Sequence, residues 1–146
     1  MNAIRLQIPA HADYIDMVRI CLFGIATKMN FSYEDIEDMK VAVSEACNNA
    51  VIHGAKDVAS EVIDISFESD TTGLTIKVKN SGSVISIPNA LDKAAPLPDV
   101  EVSGLRVGGL GIYLMQALMD EVDVKTTEDG TEVCLTKFLS ATKEYS

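Results

Sequence analysis

The sequence predicts an α+β protein: a two-layer α/β sandwich whose mixed, mostly antiparallel sheet is covered on one face by helices. Three observations carry this expectation. Strand-like stretches come as hairpin pairs. Helical stretches place apolar residues every three or four positions. No strand, helix and strand follow one another as a βαβ unit. The 146 residues set one domain, 1–146, as the expectation, and a chain of this size can bury ~70% of the surface its unfolded form exposes.

Residues 4–8 alternate, with Ile4, Leu6 and Ile8 on one face and Arg5 and Gln7 on the other, and Pro9 ends this strand. Ile15, Val18, Leu22, Ile25, Ala26 and Met29 follow at helical spacing, giving a helix from Ala12 or Asp13 to near Asn30. Ser32, three residues before Asp35, makes a loose capping box and opens a second helix. Its apolar stripe is Ile36, Met39, Val43, Ala46 and Ala50, thickened by Val51 and Ile52, and Gly54 stops it. Residues 62–68 and 74–79 are alternating strands joined through Thr71-Thr72-Gly73. Three of the four prolines lie in residues 80–108, which show no long period. Such a stretch inside a compact domain is usually functional or mobile, and it reads as a lid over about 89–107. Gly111 to Met119 is helical, with Ile112, Leu114, Met115, Leu118 and Met119 apolar. Residues 121–126 and 131–138 close the chain as a hairpin around Asp129-Gly130, and the tail after Ser140 frays.

Twelve Lys and Arg against 22 Asp and Glu leave a net charge of −10. This argues against direct nucleic-acid binding and against a polybasic membrane surface, and leaves room for a basic partner or an anion held by backbone dipoles. Cys21, Cys47 and Cys134 show no CxxC spacing, so neither a zinc site nor a disulfide framework is expected; buried, reduced thiols suit a cytoplasmic protein. The N-terminus opens on alternation rather than an apolar leader, and no run of about 18 apolar residues would span a membrane.

Four features carry possible chemistry. Glu45, Asn49 and His53 recur at i, i+4 and i+8 along one face of the second helix. An amide oxygen there can ligate Mg²⁺, and a carboxylate one turn away can accept a proton; a solvated polar face is the plainer alternative. Asn48 points about 100° away from that face. Val107-Gly108-Gly109-Leu110-Gly111 runs directly into a helix, where bare glycines and free N–H groups suit a phosphate, or else form a hinge. It matches neither the Walker A pattern nor a dinucleotide fingerprint. Asn80, closing a strand within Val78-Lys79-Asn80-Ser81-Gly82, can read a base edge or simply make a turn. The fourth is Gly130-Thr131, where a hydroxyl enters the last strand.

In order, Glu45-x-x-x-Asn49, Asn80-x-Gly82, Gly109-x-Gly111 and Gly130-Thr131 resemble the four nucleotide-binding boxes of the Bergerat-type ATPases, a superfamily that includes gyrase and the histidine kinases. The stretches Val43-Ser44-Glu45-Ala46-Cys47-Asn48-Asn49-Ala50-Val51 and Gly108-Gly109-Leu110-Gly111-Ile112-Tyr113-Leu114-Met115, with Leu118-Met119-Asp120-Glu121-Val122 after it, are similar to those of the bacterial anti-sigma factor serine kinases of the sigma-B and sporulation types. The similarity runs from about residue 4 to 139. It implies the Bergerat fold and a homodimer that binds a stress or sporulation sigma factor. It also implies use of Mg-ATP to phosphorylate a serine of a small anti-anti-sigma protein. By the same resemblance Glu45 is the general base and Asn49 the Mg²⁺ ligand. Asn80, Gly82, Gly108, Gly109, Leu110, Gly111 and Thr131 hold the nucleotide, and Arg19 on the first helix lies at the partner surface. The family's first glycine box begins with Asp, and this chain has Asn80 there. A neutral amide makes a bond roughly half as strong as a charge-assisted one. That departure keeps an alternative in view, a sigma- or antagonist-binding module with weak or no nucleotide use. A histidine-kinase core fits less well, because His11 and His53 lie within the ATPase fold and no helix pair carries a phosphoacceptor.

Overall fold

A computed structural model describes residues 2–54, 62–81, 105–127 and 130–140, the side chains of 51–54, 81, 105–110 and 127 excepted. The elements run β1 (Asn2–Pro9), a 3-10 turn (Ala12–Tyr14), α1 (Ile15–Lys28), α2 (Tyr33–Gly54), β2 (Val62–Ser69), β3 (Gly73–Ser81), α3 (Leu105–Leu118), β4 (Glu121–Thr127) and β5 (Gly130–Phe138). The five strands form one sheet in the order β1-β2-β3-β5-β4, and every ladder is antiparallel.

Local chemistry sets the helix ends. At the end of α1, Asn30 takes the left-handed conformation (φ 69°), while Asn30 N–H bonds the Thr27 carbonyl and Phe31 N–H the Ala26 carbonyl. This is the Schellman arrangement, with Asn in the place glycine usually takes. Two residues later the Ser32 hydroxyl accepts from Asp35 N–H at 3.1 Å, so α2 starts where its capping box predicts.

The stripe Ile36, Met39, Val43, Ala46 and Ala50 is buried, together with Ile15, Val18, Leu22 and Ala26 of α1. They pack on alternate sheet residues, among them Ile63, Ile65 and Phe67 of β2, Leu74, Ile76 and Val78 of β3, and Val133 and Leu135 of β5. On α3, Ile112 and Met115 are buried, as is Met119 just beyond its end, while the apolar Leu114 is exposed beside Tyr113. Cys47 is buried, and desolvation pushes its thiol up to about 12; Cys21 and Cys134, also expected to be buried, are only half-buried, and all three are free. Among the described residues no helix is long and apolar enough to cross a membrane.

The opposite face of the sheet is polar. There Gln7 donates to Asp64 at 2.8 Å, and Lys77 pairs with Glu68 at 3.2 Å. The expected lid at about 89–107 lies outside the described residues up to 104, as do Asp129 and the tail after Ser140.

The β2–β3 hairpin depends on two residues. Asp70 Oδ1 accepts from Thr72 N–H at 2.8 Å, Thr72 hydroxyl at 2.7 Å and Gly73 N–H at 3.2 Å, bonds that hold its carboxyl below the usual carboxylate range. Gly73 then passes so close to β5 that an added Cβ would lie 2.9 Å from Phe138 Cα and closer still to the Lys137 carbonyl oxygen. Main chain cannot yield there without opening the ladder. Gly73→Ala is therefore expected to cost about 2 kcal/mol, read as a lower denaturant midpoint at unchanged m-value.

Candidate active site

Two buried landmarks orient the helices over the sheet. At one end of the core-facing row of β5, Lys137 Nζ donates to the Leu118 carbonyl of α3 at 2.6 Å and lies 3.9 Å from both Asp35 and Asp38 of α2. At the other end of that row is Thr131. The six steps from Lys137 back to Thr131 span about 20 Å of strand. The eleven to fourteen steps from Asp38 or Asp35 to Asn49 span about 16–21 Å of helix. Asn49 is thus carried to the Thr131 end of the sheet. α3 runs the opposite way to α2, with Leu118 at the lysine end and Gly111 against Glu45 and Asn49.

At this end polar groups collect that the described residues do not satisfy. Asn49 is fully buried, and among the described residues neither its Oδ1 nor its Nδ2 has a hydrogen-bond partner. Asn80 faces Thr131 across the β3–β5 ladder, the two 3% and 2% exposed, and Asn80 Nδ2 and Thr131 Oγ1 also lack partners among the described residues. A buried polar atom without a partner costs about 1–3 kcal/mol. Several gathered at one end of a sheet are what a site built for a polar ligand would hold. Glu45 is half-buried one turn before Asn49, and a Cβ placed on Gly111 would lie 3.2 Å from Glu45 Oε1 and 3.4 Å from Asn49 Nδ2. Gly111 keeps that space open.

The glycine run sits differently from its sequence expectation. Gly108, Gly109 and Leu110 lie inside α3, which begins at Leu105 rather than Gly111. Glycine in a helix interior costs about 1 kcal/mol but does not forbid the helix, and packing of α3 on α2 offsets the cost. The first turn, with its free N–H groups, falls on Leu105–Gly108. Gly82 lies outside the described residues, and His53 lies on α2 with its side chain outside them.

Arg19 reaches α2 from α1. Its Nη1 donates to Ser44 Oγ at 2.8 Å, its Nη2 pairs with Asp16, and Ser44 Oγ donates to the Lys40 carbonyl at 2.7 Å. Ser44 directly precedes Glu45, so the arginine is tied to the candidate helix rather than simply solvated. Two contacts escaped the sequence reading, the Arg19–Ser44 bond and the approach of Gly111 to Glu45. Both depend on how helices dock, and local pattern carries no signal for that.

The residues present suit Mg-ATP. An amide oxygen is a hard ligand for Mg²⁺, and the buried Asn49 Oδ1 has no partner among the described residues. Among the described residues no three His, Cys, Asp or Glu gather as ligands.

Comparison with known proteins agrees. The family described as the histidine kinase-like ATPase domain matches residues 8–137. A serine-protein kinase RsbW of Bacillus licheniformis is 42% identical over 139 residues, covering 94% of this chain and 86% of that protein. The serine-protein kinase RsbW of Bacillus subtilis is 38% identical over 138 residues, with the same shares covered. Among solved structures, the RsbU and RsbW domains of Rv1364c from Mycobacterium tuberculosis match in fold with TM-score 0.68 at 21% identity, over 95% of this chain and 33% of that one. A histidine kinase domain from Erythrobacter litoralis matches with TM-score 0.54 at 20% identity, over 94% of this chain and 64% of that one. The chain belongs to the histidine kinase-like ATPase domain family and, within it, to the RsbW serine-protein kinases.

Proposed function

We propose that this protein is an anti-sigma factor. It binds a sigma factor and uses Mg-ATP to phosphorylate a serine of its anti-anti-sigma antagonist, working as one ATPase domain in the cytoplasm. The observation that carries the reading is the Glu45–Asn49 pair on α2 facing the bare backbone of Gly111, with the Asn49 amide buried and unpartnered. Chemistry of this kind rests on positioning and on neutralising phosphate charge, which Mg²⁺ supplies when bound. Asn49 Oδ1 holds the cation, Glu45 accepts the proton of the attacking serine hydroxyl, and Gly111 leaves room for both side chains. Asn80 and Thr131 meet the adenine. The first turn of α3 offers its N–H groups to the phosphates.

Arg19 marks the partner surface, held at the junction of α1 and α2 by Ser44 and Asp16. Around it Met17, Ile20 and Phe23 are exposed on α1, with Ile20 68% exposed, and so is Ile4 on β1. Exposed apolar side chains in this number support an interface, and a homodimer through α1 and β1 is the reading that fits them.

The test is a phosphotransfer assay with a candidate anti-anti-sigma antagonist, read by intact mass. One phosphoryl group on a serine is expected, dependent on Mg²⁺ and ATP. Gly111→Val should abolish it, because a branched side chain would occupy the space that Glu45 and Asn49 share, while the thermal midpoint stays within a few degrees. Sigma binding without any phosphoryl transfer by the unaltered protein would favour the non-catalytic module.

A further inference from the structure

We propose that Asn80 and Thr131 give this site a relaxed choice of purine, so that it binds 6-oxopurine nucleoside triphosphates about as well as ATP. The inference rests on the reading of this end of the sheet as a nucleotide site. It deepens that reading by assigning base selectivity.

The two side chains occupy one row across the sheet, Ile8–Ile63–Asn80–Thr131–Thr126. Ile8 and Ile63 are buried and apolar and Thr126 at the β4 edge is exposed, so the buried polar groups that this row offers the edge of a base are the Asn80 amide and the Thr131 hydroxyl. Among the described residues, Asn80 Nδ2 and Thr131 Oγ1 are both buried without a partner. Neither side chain is charged, and each can take either role. The amide carries donors on one atom and an acceptor on the other, and the hydroxyl hydrogen rotates to suit.

The two purine classes present opposite edges. Adenine offers an amino donor at C6 and an acceptor at N1. Hypoxanthine and guanine offer a carbonyl acceptor at C6 and an N–H donor at N1. A carboxylate in this row would only accept, rewarding the adenine amino group and repelling a 6-carbonyl. An amide serves either edge by turning over about its last side-chain bond, and the neighbouring hydroxyl follows by rotating. The row therefore fits purine shape without fixing the sense of the hydrogen bonds. Inosine triphosphate isolates the effect, because it changes the C6 and N1 positions without adding the 2-amino group of guanine.

The experiment is titration calorimetry of the full chain with ATP and inosine triphosphate in Mg²⁺ at pH 8, repeated with Asn80→Asp. For the unaltered protein the two dissociation constants should agree within about tenfold. In Asn80→Asp the preference for ATP should rise by about thirtyfold or more, since a buried group set against the wrong partner leaves both unsatisfied. Thr131→Val is a second variant that keeps the amide; it should weaken both nucleotides without separating them. An unaltered protein that binds ATP but prefers it to inosine triphosphate by more than about thirtyfold overturns the inference and leaves the nucleotide site standing. An unchanged ratio in a folded Asn80→Asp overturns the role of the amide. Failure of either nucleotide to bind the unaltered protein overturns the site reading and this inference together.

Discussion

Glu45→Gln is expected to slow phosphoryl transfer to the antagonist serine by about 10²–10⁴-fold while ATP affinity changes less than about threefold. The substitution keeps the side chain's size, so the approach of Gly111, which would place a Cβ 3.2 Å from Glu45 Oε1, is not disturbed. What is lost is a group that can take the hydroxyl proton as the serine attacks. Asn49, one turn further along α2, keeps its place and its unpartnered amide, so binding of the metal–nucleotide complex should persist. Asn49→Ala should give the converse pattern, a weakened Mg²⁺-dependent affinity from which the loss of rate follows. Single-turnover phosphorylation at saturating ATP, set beside calorimetric affinities, separates the two. A Glu45→Gln protein that phosphorylates at the unaltered rate would place the base elsewhere.

How much of this was legible before folding differs element by element. α2 could be read almost completely, because Ser32, the stripe from Ile36 to Ala50, and Gly54 each leave a local signal. The Glu45–Asn49 pair follows from helical period alone. Alternation alone stops β3 two residues early at its C-terminal end, since Asn80-Ser81 looks like turn chemistry; the ladder to Thr131 and Gly130 keeps it extended and buries an amide in a core-facing row. The start of α3 was misplaced for a related reason. Glycines signal the end of a helix locally, whereas docking on α2 carries the helix through Gly108 and Gly109. The site as a whole is a tertiary object. Gly111 meets Glu45 because α2 and α3 run oppositely across one sheet, and neither sequence window contains that fact.

Lys137→Met should be the most destabilising single change outside the apolar core, costing about 3 kcal/mol and lowering the thermal midpoint by about 10 °C. Alternation along β5 puts residue 137 on the same face as Val133 and Leu135, and the lysine is accordingly 6% exposed. A buried ammonium persists only with partners. This one has the Leu118 carbonyl at the end of α3 and the carboxylates of Asp35 and Asp38 in the first turns of α2. It therefore clamps the start of α2 and the end of α3 to the sheet, at the opposite end from Asn49 and Thr131. Methionine retains most of the volume, so the loss reflects electrostatics rather than a cavity. Two partly buried carboxylates and a helix-terminal carbonyl are left without their cation. The carboxylates retain some contact with water, which keeps the cost at the low end for a broken buried pair. Adding Asp35→Asn and Asp38→Asn to Lys137→Met should recover a large part of the stability, because the uncompensated charges are removed together. Denaturant melts of Lys137→Met and of the triple variant measure this, and a triple variant no more stable than Lys137→Met would assign the role of the lysine to packing. The site provides an independent readout. Since α2 and α3 carry Glu45, Asn49 and Gly111 at their other ends, loosening the clamp should weaken ATP binding in the single variant and restore it in the triple, although all three substituted residues lie at the opposite end of the sheet from Asn49 and Thr131.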